Sequence, residues 1–120
     1  MEVKDALLKR RSVRKFTDEP VSEEMVEELF HAAMSGPSAC NRKPWDFYAA
    51  TENILLRVTD LGLGAVWCGI HPQKRAEKKV AEFLGLGAKQ VPLNIIFIGH
   101  PAEEPEARDQ YEEKCVHYVR

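Results

Sequence analysis

An α/β domain with helices packed over a sheet is predicted by three features of this sequence. Segments with helical periodicity alternate with short β-type segments along most of the chain. The run VPLNIIFIG, residues 91–99, is almost continuously apolar and β-branched, the pattern of a strand covered on both faces. With 120 residues, 44% of them hydrophobic and 30% charged, the chain has the composition of one globular domain, neither disordered nor fibrous. A chain this short leaves much of its surface exposed, so a partner subunit would help to complete the core.

The elements follow in order. Val3, Ala6, Leu7 and Leu8 give a short first helix that runs into the basic stretch RRSVRKF, residues 10–16. Pro20 marks a break, and Ser22, followed by Glu23 and Glu24, is an N-cap with acids in the first turn of a second helix. The apolar residues of that helix, Met25, Val26, Leu29, Phe30 and Ala33, form one wide stripe expected to be buried, and Gly36 and Pro37 end it. Residues 45–50 alternate as a strand with one buried face. Ile54, Leu55, Val58 and Leu61 mark a third helix, stopped by Gly62 and Gly64. Residues 65–70 read as a strand, and 73–84 as an amphipathic helix with Ala76, Val80, Phe83 and Leu84 on one side. From Pro101 the sequence turns acidic and proline-interrupted. Its Tyr111, Val116, Tyr118 and isolated Arg108 suit an arm laid on a partner better than a solvated tail.

Charge and cysteine usage exclude several classes of function. Arg10, Arg11, Arg14 and Lys15 place four cations in seven residues of a chain whose formal charge is −2, so the remainder sums to −6. Nucleic-acid binders usually spread basic charge over a whole face, which this chain does not do. The N-terminus has early acids and no uninterrupted apolar core, so a secretory signal is not expected, and the longest low-polarity run is too short for a bilayer. A cytoplasmic protein with no membrane partner is the expectation. Cys40, Cys68 and Cys115 lack metal-ligand spacing and are odd in number, which points to reduced thiols and no metal.

Three stretches have groups suited to a ligand. In RRSVRKF, three guanidiniums and the Ser12 hydroxyl match the acceptor oxygens of a phosphate, although a basic cluster after a helix is more often a solvated, dipole-favoured end. GPSACNRKPWDF, residues 36–47, offers backbone groups and an amide to a planar polar ligand, and equally has the composition of an ordinary connection. GLGAVWCGIHP, residues 62–72, is a glycine-flanked strand open to close backbone approach. Its glycines precede the strand, so it is no dinucleotide fingerprint. His31, His71, His100 and His117 have no Ser or Cys partner legible in the sequence, so no catalytic side chain is assigned.

In this order RRSVRKF, PSACNRKPW, LGLGAVWCGIHP, VPLNIIFIGHPAEEP and RDQYEEKCVHY resemble the nitroreductase family of FMN-dependent oxidoreductases over nearly the whole chain. The resemblance implies a three-layer sandwich, a mixed sheet flanked by helices, in an intertwined homodimer with FMN at each of two interface sites. It implies an FMN-binding domain over residues 1–100 and an arm, 101–120, packed on the partner subunit. By motif position, Arg10, Ser12 and Arg14, with Arg11 nearby, would hold the ribityl phosphate. Pro37, Ser38, Ala39 and Asn41 would come from the other subunit, and Arg108 would reach the phosphate. Cys68 and Gly69 would lie beside the flavin ring, with the Gly69 backbone near N5. The implied activity passes electrons from NAD(P)H through FMN to a nitroaromatic, quinone or similar acceptor.

The sequence departs from the family in two places. Lys43 stands where glutamine is common, and Ala50 joins Thr51 where the family has the rest of a strand, further helices and another strand. The join is a natural compact form, a deletion or a gap in the chain; if the chain is as written, the resemblance implies a flavin site that lacks one wall and selects substrates loosely. An FMN-binding protein of the same fold with little turnover is the alternative. A basic arm contacting nucleic acid is a further rival, disfavoured by the acidic remainder.

Overall fold

Burial of one stripe of α3 against α2 and a two-stranded sheet organises the chain. The computed structural model describes residues 1–36 and 48–119. Its elements are α1 (Val3–Lys9), α2 (Glu23–Met34), α3 (Tyr48–Asp60), β1 (Gly64–Gly69), α4 (Lys74–Leu84) and β2 (Asn94–Gly99), with a final 3-10 turn at Glu113–Cys115. Ser22 caps α2 as its sequence predicts, its Oγ accepting from the Met25 amide at 3.2 Å. α3 ends at a turn in which Gly62 has φ 73°, a left-handed conformation that glycine adopts without strain.

β1 and β2 pair antiparallel, Gly64 opposite Gly99 and Gly69 opposite Asn94. A parallel bridge from Ser12 to Ala65 adds the basic segment to the far edge of β1, so the pairing is mixed as expected. Paired residues present their side chains on one face. Ala65 and Trp67, with Ile98 and Ile96 opposite, therefore face the core formed by Leu29, Leu55, Val58 and Leu63. Thr51, buried on α3, accepts a hydrogen bond from Asn94 Nδ2 at 2.9 Å and ties the helix to the start of β2. Glu28 on α2 and Asp60 both pair with Arg57 on α3, and the hydrogen bond that Arg57 donates to Glu28 raises the guanidinium's pKa.

Several sequence expectations are corrected by this arrangement. Residues 48–50, expected to close a strand, are helical and form the first turn of α3, whereas residues 45–47 of that expected strand lie outside the described residues. Extending an existing helix by three residues requires no new nucleus, and nothing in Tyr48, Ala49 and Ala50 stops it. The expected buried stripe of α2 is only half buried: Leu29 and Ala33 are covered, whereas Phe30 is 58% exposed. Phe83 on α4 is 89% exposed, and Phe97 in β2, expected to be covered on both faces, is 53% exposed. Phe97 is exposed because α2 and α3 cover one face of the sheet and the described residues supply no comparable layer for the other, whereas Phe30 borders an open cleft with Val26, Ile54 and Ile96 on the covered side.

The chain exposes 9596 Å², where a monomer of this size exposes about 6,600 Å². Its radius of gyration is 16.3 Å, against about 13.6 Å for a compact chain of this length. Among the described residues, no helix is long and apolar enough to cross a membrane.

Candidate functional site

The basic segment is held across the sheet by a pair of glycines. Val13 donates its amide to the Ala65 carbonyl at 2.8 Å, and Thr17 donates to His100 at 2.9 Å, so the segment passes from the edge of β1 to the end of β2. Where it crosses, a Cβ on Gly64 would lie 2.7 Å from Val13 Cγ1, and one on Gly99 would lie 3.0 Å from the Phe16 ring. Gly64 and Gly99 are partners in the register, so two missing side chains on one face make the channel that Val13 and Phe16 fill.

Extended backbone sends alternate side chains to opposite sides. Val13 is buried, and Ser12 and Arg14 on either side of it are exposed together. The Arg14 guanidinium has no hydrogen bond or ion pair among the described residues. Arg10, at the end of α1, pairs through Nε with Glu52 Oε1 at 3.0 Å. Arg11 donates from Nη1 to the Glu106 carbonyl at 2.7 Å.

The chain beyond β2 returns along this segment. The Arg14 and Lys15 amides both donate to Glu103 Oε1, at 2.6 and 3.3 Å, and Ala102 donates to the Lys15 carbonyl at 2.8 Å. Arg108 donates its backbone amide to Leu8 in the last turn of α1 at 3.1 Å. The backbone of Arg108 thus lies at the last turn of α1, which leads into Arg10 and Arg11.

Cys68 and Gly69 stand at the opposite end of β1. Gly69 lies four residue steps beyond Ala65, where Ser12 is bridged, a span of roughly 13 Å in a strand. Both are exposed, and an added Cβ on Gly69 would meet nothing within 4 Å. Neither crowding nor a positive φ demands glycine there; its missing side chain leaves room beside the strand. The Cys68 side chain lies on the other face from the open side of Gly69, so one ligand meets both only at the backbone. The arrangement suits an elongated ligand with an anion at one end and a flat body at the other. Pro37, Ser38, Ala39 and Asn41 lie outside the described residues, as do Cys40, Lys43 and Trp45.

Sequence reasoning missed a cluster just past Gly69. Glu77, buried at the start of α4, accepts from Lys74 Nζ at 3.0 Å and meets His71 Nδ1 at 2.7 Å. These hydrogen bonds, Lys74 first and His71 second, hold its carboxyl below the ordinary range despite burial. The three-residue spacing of Lys74 and Glu77 on a helix was the available signal. Glu52, Glu103 and Glu106 were also missed, because chain topology alone brings them to the basic segment. Among the described residues, no group of three His, Cys, Asp or Glu side chains could hold a metal ion.

Comparison with known proteins returns a consistent set of likenesses. The model of a family described as the nitroreductase family matches residues 7–52 and 48–100, two stretches that meet at the start of α3. A protein of Methanothermobacter thermautotrophicus that bears the name NADH dehydrogenase/NAD(P)H nitroreductase is 28% identical over 165 aligned positions, covering 98% of this chain and 86% of its own. Those 165 positions exceed the 120 residues here, so the relative has a segment without a counterpart, and the two-part family match puts the break at residues 48–52. A crystal structure bearing the same name, from Parabacteroides distasonis, superposes with TM-score 0.92 at 25% identity, covering 97% of this chain and 96% of that one. A nitroreductase of Desulfovibrio desulfuricans solved in complex with FMN has TM-score 0.76 and 22% identity, covering 98% of this chain and 96% of that one, a likeness of fold.

Proposed function

Because the chain belongs to the nitroreductase family, we propose that it is an FMN-dependent oxidoreductase, taking electrons from NAD(P)H and delivering them to a nitroaromatic, quinone or similar acceptor. One observation carries the reading: Ser12 and Arg14 are exposed together at one end of β1, and Gly69 leaves open space at the other. Arg14 and Ser12 bind the phosphate, Arg10 and Arg11 add cationic charge beside it, and Arg108 approaches from the returning chain. Cationic donors at the phosphate fix the cofactor without changing ring electronics, whereas backbone beside the ring tunes its potential. When bound, FMN supplies the transfer of electrons between the two substrates. No side chain of this chain is assigned as nucleophile or general base.

The site takes its second wall from another copy of the chain. Residues 1–100 form the FMN-binding domain, and residues 101–120 form an arm whose last part packs on the partner subunit. Pro37, Ser38, Ala39 and Asn41 of one protomer contact the flavin held by the other. The large exposed surface of the single chain supports this homodimer. Cytoplasmic residence suits the three cysteines and the NAD(P)H supply.

The absorbance spectrum of protein incubated with FMN and then desalted tests the reading. Retention of about one FMN per chain, followed by steady NAD(P)H oxidation with an acceptor, is the expected result; no retained flavin refutes it. The segment absent between residues 48 and 52 favours a second reading, an FMN-binding protein with little turnover. Stoichiometric flavin without NAD(P)H oxidation selects that reading.

A further inference from the structure

We propose that Glu52 is an internal counter-anion for Arg10 that weakens the chain's hold on a phosphate, an inference resting on the FMN reading above. Glu52 lies where the two family-matched stretches meet, so the shortened connection is itself the part of the chain that brings a carboxylate to the basic segment. Its Oε1 lies 3.0 Å from Arg10 Nε in an ion pair, the Arg10 side chain 32% exposed and that of Glu52 41%. Of the four cations in RRSVRKF, Arg10 alone is paired with a side-chain carboxylate among the described residues; Arg11 meets a neutral carbonyl. The terminal nitrogens of Arg10 have no partner among the described residues.

A phosphate taken up on that outer edge puts two anions across one guanidinium. Two N–H···O contacts of about 2.9 Å and the width of the cation separate them by roughly 7 Å. Repulsion at that distance between a carboxylate and a dianionic phosphate, in a largely solvated setting, lowers affinity by about three- to tenfold. The loss is greatest at low ionic strength, because exposed charges are screened over about 10 Å at 0.1 M salt. Glu52 thereby makes the phosphate end of the cofactor easier to release.

FMN and riboflavin titrated into the full chain and into Glu52→Gln, followed by flavin fluorescence at low and high salt, test the proposal. Glutamine keeps the acceptor oxygen and the shape and removes only the charge. FMN is expected to bind the variant about three- to tenfold more tightly at low salt, with the gain shrinking at high salt. Riboflavin, which has no phosphate, is expected to bind both proteins alike. Equal or weaker FMN binding by the variant overturns the inference and leaves the FMN reading standing, since Glu52 then merely orients Arg10. A gain shared by riboflavin also overturns it, as the charge then acts elsewhere than at the phosphate. Absence of FMN binding by both proteins refutes the FMN reading and this inference with it.

Discussion

Substitution of Gly64 by alanine tests whether the glycine pair is what lets the basic segment cross the sheet. The added Cβ would stand 2.7 Å from Val13 Cγ1, 2.8 Å from its Cβ and 3.0 Å from its Cγ2. Carbon atoms in good contact are about 3.5–4.0 Å apart, so Val13 must withdraw by roughly 1 Å. A rotamer change moves the two methyl groups and leaves the Val13 Cβ where it is; relief therefore requires the backbone of the segment to shift. The 2.8 Å bond from the Val13 amide to Ala65 is strained by the same movement. Overpacking of this kind costs about 1–3 kcal/mol, which for a domain near this size lowers Tm by roughly 5–15 °C. Ser12 and Arg14 travel with Val13, so FMN affinity falls as well. Urea and thermal unfolding, with FMN fluorescence titration, measure both effects. Val13→Ala alone loses two buried methyl groups, about 2 kcal/mol. The double substitution should cost less than the sum of the singles by about 1 kcal/mol, because the clashing Cγ atoms are gone. Strict additivity, or a Gly64→Ala protein within about 0.5 kcal/mol of the parent, would refute the crossing argument.

Other consequences are open to equally direct measurement. Arg14→Ala should release FMN and leave Tm unchanged, because its guanidinium is exposed and unpaired among the described residues; undiminished flavin occupancy removes this arginine from the phosphate site. Thr51→Val leaves the Asn94 amide without its acceptor beside a buried position and should cost about 1–2 kcal/mol in urea unfolding; an unchanged midpoint shows that the bond contributes nothing net. Glu77 has a folded pKa depressed below its ordinary 4.5, chiefly by Lys74 and then by His71, so its contribution to stability is present above that pH and is lost as pH falls through the lower folded value. Tm measured from pH 6 to about pH 3 should therefore fall more steeply for the parent than for Glu77→Gln, and parallel curves would dismiss the cluster as a stabilising element.

How much was legible in the sequence depended on the range of the interaction. Ser22, the Gly62 turn and both strands of the sheet were readable because each is determined by neighbouring residues. The start of α3 was not, because Tyr48, Ala49 and Ala50 fit a strand and a helix alike and the helix already nucleated downstream takes them. Apolar periodicity on α2 and α4 identified the faces and could not say what covers them, which is why Phe30 and Phe83 were expected inside. The same division holds at the site. A cluster of arginines is visible in seven letters, whereas its partners lie tens of residues away, Glu52 brought there by the first turns of α3 and Glu103 and Glu106 by the return of the chain after β2. Gly64 reads as a glycine flanking a strand, and only its pairing with Gly99 reveals one shared channel.

The shortened connection has a consequence for what completes the fold. α2 and α3 cover one face of the sheet, and the other carries Val66 against Phe97 and Cys68 against Ile95, with Val13 and Phe16 laid over its glycine end. Val26 and Phe30 on α2, with Phe83 and Leu84 on α4, add apolar surface that the chain does not bury. The excess over a monomer of equal size is about 3,000 Å² per chain, or about 6,000 Å² for a pair, at the upper end of what obligate dimers bury. In the proposed homodimer this surface and the flavin site belong to the same contact, since each FMN is touched by residues of both chains. A ligand that binds only the paired, folded state stabilises folding and pairing together. Losing the central segment therefore does not simply thin one wall of the site. In the proposed homodimer part of the stability of each chain belongs to its partner, so cofactor retention, dimerisation and folding are one linked equilibrium.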